Sequence, residues 1–175
     1  REAPSGSNFP WHDGVPHMID RRFTILMVED DEDDAFLIRR AFERARIQNP
    51  IQWLQDGEAA VAYLSGAPPY GNRIENPLPM LLLLDLHLPR LSGFEVLRWL
   101  RRQHGVRRLP VVVLTSSDDS HDINNAYDLG ANSYLVKPVD FDGLIEMVRN
   151  LNLYWLLTNT CPNLEAPADG TTNGA

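Results

Sequence analysis

Short runs of apolar residues alternate along the chain with longer stretches in which apolar residues recur every three or four positions. A short apolar run between polar or turn residues is typical of a buried strand, whereas the longer spacing is typical of a helix with one buried face. The pattern therefore predicts five strands and five helices in alternation. The predicted strands are Ile25–Val28, Ile51–Leu54, 80–84, 111–114 and Ser133–Val136, and the predicted helices are 33–46, 57–64, one that begins at Ser92, 119–129 and 140–157.

Local signals mark several helix ends and one long loop. Asp31 and Asp33 are candidates to cap the first helix, and Ser92 with Glu95 has the spacing of a capping box. Gly130 is suited to end the fourth helix. Prolines and glycines recur between residues 65 and 79, which predicts a loop that is long for a connection.

Alternation of strands and helices implies an α/β fold, with a parallel sheet covered by helices on both faces. We expect the folded unit to span residues 23–158. Residues 1–22 are predicted to be a flexible arm, because their prolines, glycines and isolated aromatics follow no strand or helix period. The part before Met18 is as consistent with a cloning leader as with native sequence. Residues 159–175 are predicted to be a flexible tail, and no output domain is expected after residue 157.

Composition narrows the class of protein. The 175 residues include 16 Lys+Arg and 24 Asp+Glu, for a formal net charge of −8. This acidic excess argues against bulk electrostatic binding to nucleic acid or to a membrane surface. No apolar run approaches the ~20 residues needed to cross a bilayer. The single cysteine excludes an internal disulfide. We expect a cytoplasmic protein with no nucleic-acid or membrane partner.

Charged and polar residues follow the predicted strands at the points where the strands end. Glu29 and Asp30 follow the first strand, Asp85 follows the third, Thr115 the fourth and Lys137 the fifth. Parallel α/β sheets bind their ligands at this carboxyl edge. Taken singly, an aspartate here usually caps a helix, and a lysine is usually a solvated charge. Three carboxylates at one edge are much harder to explain in that way.

Neighbouring carboxylates repel one another unless a cation compensates their charge. Oxygen ligands favour Mg²⁺, and Lys137 adds a fixed positive charge that can face an anion. A hard cation, a lysine, a hydroxyl and an aspartate with a free oxygen suit phosphoryl transfer, which depends on positioning and charge neutralisation. The residues therefore predict a magnesium-dependent site for phosphoryl chemistry.

Four segments, in order and at suitable intervals, carry motifs of a known family. They are Ile-Leu-Met-Val-Glu29-Asp30, Leu-Leu-Leu-Leu-Asp85-Leu-His-Leu-Pro89, Val-Val-Val-Leu-Thr115-Ser and Gly130-Ala-Asn-Ser-Tyr134-Leu-Val-Lys137-Pro138. Together they resemble the CheY-like receiver domains of two-component response regulators. The resemblance implies a doubly wound, five-stranded parallel sheet of the flavodoxin/CheY-like kind, with strand order 2-1-3-4-5.

The resemblance also implies how a phosphoryl group would be accepted. Asp85 would receive it from a sensor histidine kinase, and the protein would be a phosphoacceptor rather than a turnover enzyme. Mg²⁺ would be held by Asp30, by Asp85 and by the backbone carbonyl of His87, with Glu29 acting through a bound water.

The remaining motif residues would sense the phosphoryl group. In the resemblance, Lys137 would pair with one phosphoryl oxygen and Thr115 would hydrogen-bond another, while Tyr134 would swing inward behind Thr115. This would switch the surface formed by the fourth helix, the fifth strand and the fifth helix. The resemblance also implies a cis peptide between Lys137 and Pro138.

His87 departs from the family pattern, in which a small polar side chain is common two residues after the acceptor. One interpretation is a solvated loop histidine. The other is that its imidazole alters the lifetime of the acyl phosphate, with a pH dependence near the usual histidine pKa of ~6.5.

Two further features resemble the stand-alone receivers that serve bacterial phytochrome-type kinases. They are the long loop before the third strand and the extended last helix. The apolar residues from Leu151 to Leu157 are too many for one buried stripe. They either pack on their own domain or form a homodimer, which we favour because large apolar patches rarely stay exposed.

Other classes fit less well. A haloacid-dehalogenase-like phosphatase needs a second aspartate where this chain has His87, and the P-loop pattern GxxxxGK[ST] is absent. An acidic first loop would repel the phosphate of a flavin in a flavodoxin-like carrier. A receiver-fold binding or adaptor module that signals without phosphate stays open as the alternative.

Overall fold

The computed structural model describes residues 24–165. Five parallel strands form one sheet in the order β2-β1-β3-β4-β5, which confirms the predicted 2-1-3-4-5 topology. The predicted arm at 1–22 and the end of the predicted tail, from 166 onwards, lie outside the described residues. The strands are β1 (Ile25–Val28), β2 (Ile51–Leu54), β3 (Leu81–Leu84), β4 (Val111–Thr115) and β5 (Ser133–Val136); the helices are α1 (Glu32–Arg44), α2 (Gly57–Ser65), α3 (Gly93–Arg102), α4 (Ser120–Asp128) and α5 (Phe141–Leu151).

The central strands are buried on both faces. β1 lies between β2 and β3, and its first residue, Ile25, is level with Ile51 on one side and Leu81 on the other. Alternate side chains of β1 point to opposite faces: Ile25 joins the core under α1 and α5, whereas Leu26 joins the core under α2 and α3. Helices on both faces explain why these strands are continuous apolar runs rather than alternating ones.

The helix ends follow the predicted capping, with one exception. Ser92 accepts from the backbone N–H of Glu95, whose carboxylate accepts from the backbone N–H of Ser92, so the capping box is confirmed. The side chain of Asp31 caps α1 by accepting from Asp34 N at 2.9 Å. Asp33 was also expected to cap this helix, but it lies inside the first turn of α1. The N-cap is a single position, and Asp31 occupies it.

The chain beyond α5 differs from the single helix predicted over 140–157. The α-helix ends at Leu151 and continues as a π-helix over Asn152–Thr158. In this wider turn Trp155 and Leu156 both pack against the core under α1 and α5, although they are adjacent in sequence. Leu153, Tyr154 and Leu157 stay exposed. The apolar residues of this segment form no single stripe on an α-helix, and the wider π-helix allows some of them to be buried.

Arginine side chains fasten the amino edge of the sheet. Arg73, in the loop between α2 and β3, donates to the carbonyls of Tyr63 and Leu64 at the end of α2, at 2.8 and 2.9 Å. Arg101 of α3 donates to the carbonyls of Leu109 and Gly130, which precede β4 and β5.

The expectation of a cis peptide between Lys137 and Pro138 is wrong, because this bond is trans. In the described part of the chain, the cis bond joins Pro68 to Pro69. Among the described residues, no helix is long and apolar enough to span a membrane.

Candidate functional site

Adjacent strands bring three carboxylates together at the carboxyl edge of the sheet. β1 pairs with β3 so that Val28 lies beside Leu84, which places the following residues Glu29, Asp30 and Asp85 next to each other. One oxygen from each carboxylate lies within 4.8 Å of the others. Glu29 and Asp85 are buried and Asp30 is exposed, so the cluster has two fixed members and one that faces solvent.

Backbone contacts fix the side chain of Asp85. Its Oδ1 atom accepts from the backbone N–H of Leu86 at 2.6 Å, with His87 N at 3.5 Å. A Cβ atom on Gly93 would lie 2.1 Å from the carbonyl oxygen of Asp85, so a glycine is required where α3 begins. With Oδ1 held by the backbone, Oδ2 is the oxygen that faces the cation of the site.

Lys137 provides that cation. Its Nζ atom lies 2.6 Å from Glu29 Oε2, 2.7 Å from Asp34 Oδ2 and 3.5 Å from Asp85 Oδ2. Burial alone lowers the pKa of Lys137, but the hydrogen bonds to Asp34 and Glu29, with the charge of Asp85, outweigh burial and hold the pKa above its usual value. Lys137 is therefore a permanent positive charge among carboxylates.

The carboxyl group of Glu29 has a raised pKa. Burial raises its pKa from 4.5 to about 7, and the nearby Asp85 adds to the increase. Lys137 and the N–H of Asp31 act in the opposite direction and only partly offset burial. Because burial of a carboxylate without full compensation favours the neutral form, the site has room for further positive charge.

Thr115 is the last residue of β4, the neighbour of β3, and Tyr134 lies on β5, the edge strand beyond β4. The Oγ1 atom of Thr115 is buried without a hydrogen-bond partner among the described residues. The phenol of Tyr134 donates to the carbonyl of Ser117 at 3.0 Å, and burial raises its pKa. A buried hydroxyl without an acceptor is costly, so Thr115 is suited to a ligand oxygen.

The imidazole of His87 is mostly exposed and lies beside α4. Its Nε2 atom is 3.7 Å from Asp122 Oδ2, and 62% of its side chain is accessible. This placement agrees with a solvated loop histidine that also has one acidic neighbour.

Sequence reasoning missed two members of this region, Asp34 and Asp122. Asp34 occupies the first turn of α1, the helix that follows β1 and Glu29, and this position was the available signal. Asp122 lies in the first turn of α4, and no sequence spacing connects it to Ser117 or to His87.

The donor set fits a hard divalent cation. All three groups offer carboxylate oxygens, which Mg²⁺ and Mn²⁺ prefer, and one of them is open to solvent. Oxygen ligands close together with incomplete charge compensation are what such a cation requires.

Comparison with known proteins agrees with the fold. Residues 25–149 match the family described as the response regulator receiver domain. The chain belongs to this family. It is 44% identical to the probable methanogenesis regulatory protein FilR2 of Methanothrix harundinacea over 80% of this chain and 88% of that protein. It is 38% identical to the response regulator Rcp1 of Synechocystis over 79% of this chain and 92% of that protein.

Solved structures of receiver proteins are also similar. The response regulator RPA3017, described in red light signalling of R. palustris, superposes with a TM-score of 0.77 at 36% identity, covering 81% of this chain and 99% of that one. The phosphorylated cyanobacterial phytochrome response regulator RcpA gives 0.75 at 35% identity, with the same coverage. The Mn²⁺-bound form of Rcp1 gives 0.73 at 38% identity, covering 80% of this chain and 99% of that one. The expected resemblance to stand-alone phytochrome response regulators is confirmed by these relatives.

Proposed function

We propose that this receiver domain accepts a phosphoryl group on Asp85 from a sensor histidine kinase, in a reaction that depends on Mg²⁺. The observation that carries this proposal is the convergence of Glu29, Asp30 and Asp85 beside Lys137 at one edge of the sheet. In this proposal the protein is a phosphoacceptor and a switch in the cytoplasm, not a turnover enzyme.

The chemistry follows from the oxygens that face the cations. A carboxylate oxygen of Asp85 forms a bond to phosphorus, while the bond from phosphorus to the histidine nitrogen of the kinase breaks and its electron pair stays on that nitrogen. Lys137 neutralises charge on a phosphoryl oxygen from its place 3.5 Å from Asp85 Oδ2. The hydroxyl of Thr115, which has no hydrogen-bond partner among the described residues, donates to another phosphoryl oxygen.

Residues of the same edge would hold the metal. Asp30 and Asp85 would be direct ligands together with the backbone carbonyl of His87, and Glu29 would act through a bound water. When bound, Mg²⁺ supplies positive charge to the transferred group. The Mn²⁺-bound form of the relative Rcp1 supports a divalent cation.

The relatives point to the class of kinase. RcpA is described as a phytochrome response regulator, and RPA3017 as acting in red light signalling. We propose a phytochrome-type histidine kinase as the partner. Acceptance of the phosphoryl group would shift the surface formed by α4, β5 and α5 between two states.

The first test is intact-mass spectrometry after incubation with Mg²⁺ and acetyl phosphate, a small phosphoryl donor. The wild-type chain should gain one phosphoryl group, and omission of Mg²⁺ should prevent the gain. Asp85→Asn should gain nothing under either condition. If the folded wild-type chain gains no mass, the alternative of a binding module that signals without phosphate is favoured instead.

We propose in addition that the chain forms a homodimer through its C-terminal helical region. Leu153, Tyr154 and Leu157 of the π-helix are exposed, as is Val136 on the edge strand β5. Equilibrium sedimentation at ~100 µM should give a dimer, since stable interfaces bury apolar surface of this kind. Leu153→Glu combined with Leu157→Glu should give a monomer, while Ile74→Glu, at an exposed apolar position in the loop between α2 and β3, should not. A wild-type monomer at this concentration contradicts the proposal.

A further inference from the structure

Two hydrogen bonds in series connect Tyr134 to α4. The phenol of Tyr134 donates to the carbonyl of Ser117 at 3.0 Å, and the hydroxyl of Ser117 donates to Asp122 Oδ2 at 2.7 Å. The ring of Tyr134 packs on a cluster formed by Leu86, Val113 and Ala126. The ring therefore already lies inward, against β4 and α4.

Asp122 contacts both loops that flank the acceptor carboxylate. Besides the bond to Ser117, which follows β4, its Oδ2 atom lies 3.7 Å from Nε2 of His87, which follows β3. Only 21% of the side chain of Asp122 is accessible. The carboxylate lies in the first turn of α4, where the helix dipole favours a negative charge.

Ser117 has a second bond that limits its movement. Its hydroxyl oxygen accepts from the backbone N–H of Asp119, the residue that caps α4, at 3.3 Å. Ser117 stands two residues beyond Thr115, whose buried hydroxyl has no partner among residues 24–165. A constraint on Ser117 therefore restricts both the carbonyl that receives Tyr134 and the short segment that carries Thr115.

We propose that Asp122 is a positioning residue: it holds Ser117 so that its carbonyl receives Tyr134 in the inward orientation, which favours the state in which Thr115 binds a phosphoryl oxygen. The inference rests on the proposed function. Among the described residues Asp122 forms no hydrogen bond or ion pair with the carboxylate cluster or with Lys137; it approaches the imidazole of His87, not its backbone carbonyl, and it acts through Ser117.

The test uses beryllium fluoride with Mg²⁺ as a mimic of the phosphoryl group on Asp85. Asp122→Ala should weaken its binding by about fivefold, which is the effect of one ordinary hydrogen bond. Asp122→Asn should bind as the wild type does, because the amide oxygen can still accept from Ser117. The affinity for Mg²⁺ alone should be the same in all three proteins, which shows that the carboxylate cluster is intact.

Tyr134→Phe provides the decisive comparison, because it removes the hydroxyl that donates to the backbone carbonyl of Ser117. In this background Asp122→Ala should cause no further loss of beryllium fluoride affinity. The role of Asp122 would be overturned if the double variant lost beryllium fluoride affinity by the product of the two single losses. An equal loss of affinity in Asp122→Asn and Asp122→Ala would also overturn it. Wild-type protein that neither binds beryllium fluoride nor gains a phosphoryl group would instead overturn the proposed function, so the two failures are distinguishable.

Discussion

Two partly buried cations stand at opposite edges of the sheet and are held by different kinds of oxygen. Lys137, at the carboxyl edge, lies among the carboxylates of Glu29, Asp34 and Asp85. Arg101, at the amino edge, donates to neutral oxygens: the carbonyls of Gly130, Arg107 and Leu109 and the side-chain oxygen of Asn132. Burial lowers the pKa of Arg101, whereas carboxylates hold the pKa of Lys137 above its usual value.

We call the carboxyl edge, where the proposed phosphoryl chemistry lies, the reactive edge, and we call the amino edge the structural edge. Carboxylates can exchange a lysine for a metal ion, and the lysine can pair with a phosphoryl oxygen in place of a carboxylate, because each charged partner is replaceable by another of the same sign. Backbone carbonyls cannot ionise, and each one left without a donor in the interior is costly. The contacts at the carboxyl edge can therefore exchange one ligand for another, whereas the contacts at the amino edge are expected to stay fixed.

The largest expected effect comes from removing the cation of the reactive edge. Lys137→Met keeps an apolar stem of similar length but removes the charge that faces Asp85. Phosphorylation by acetyl phosphate should slow on the order of 100-fold, as for other groups that stabilise developing charge. Mass spectrometry against time measures the rate, and a rate within a few-fold of the wild type would contradict the assigned role of Lys137.

Removing the cation of the structural edge should change stability instead. Arg101→Met leaves the carbonyls of Leu109 and Gly130 without their donor, which should lower the free energy of unfolding by about 3 kcal/mol. Urea unfolding measures this loss. The exposed Arg98 on the same helix provides a matched control, and Arg98→Met should change little.

The comparison is sharpened by measuring phosphorylation of the Arg101→Met variant under conditions in which it is folded. The rate should equal that of the wild type, because Arg101 makes no contact with the carboxyl edge in the described structure. A large loss of rate in the folded variant would show that the two edges are coupled.

The pH dependence of stability should depend on Glu29. Because its pKa is raised to about 7 from 4.5, the folded chain binds this proton more tightly than the unfolded chain does. The stability that this provides is complete below pH 4.5 and is lost as the pH rises through about 7. Without divalent cations, the free energy of unfolding should fall by about 2 kcal/mol between pH 5 and 8.

Glu29→Gln, which cannot ionise, should remove most of this pH slope, whereas Glu43→Gln, at an exposed position of α1, should retain it. Mg²⁺ should stabilise the wild type more at pH 8 than at pH 6, since proton and metal compete for the same carboxylate. Urea unfolding with a chelator or with Mg²⁺ measures both effects. An unchanged slope in Glu29→Gln would assign the pH dependence to other groups.

Much of this arrangement is predictable from the sequence because it depends on periods and on strand ends. The strands Ile25–Val28, Ile51–Leu54 and Ser133–Val136 coincide with the predicted ones, since each is a short run between turn signals. Glu29 and Asp85 come together because parallel strands end at one edge. The change to a π-helix at Asn152 was not predictable, because it results from packing on α1 and α5 rather than from a local period.

The contacts of side chains across elements were predicted least well. Asp34 reaches Lys137 across 103 positions of sequence, and Arg101 reaches Gly130 across 29. Such pairs are set by the distance between packed helices and loops, which neither charge nor spacing encodes in a single sequence. His87, in contrast, was noticed in the sequence because it lies two residues after Asp85. The structure shows in addition that its imidazole lies beside Asp122.

The smallest expected effect concerns His87 and the lifetime of the acyl phosphate at the reactive edge. Its backbone nitrogen lies 3.5 Å from Asp85 Oδ1, and its imidazole is exposed beside Asp122. His87→Asn should change the dephosphorylation half-life only a few-fold, because the imidazole is mostly exposed and lies beside Asp122 rather than against Asp85. His104→Asn, at an exposed position beyond the end of α3, should leave the half-life unchanged. Equal half-lives of His87→Asn and wild type would make His87 a solvated loop residue, and the difference between the two edges would then rest on Lys137 and its carboxylates alone.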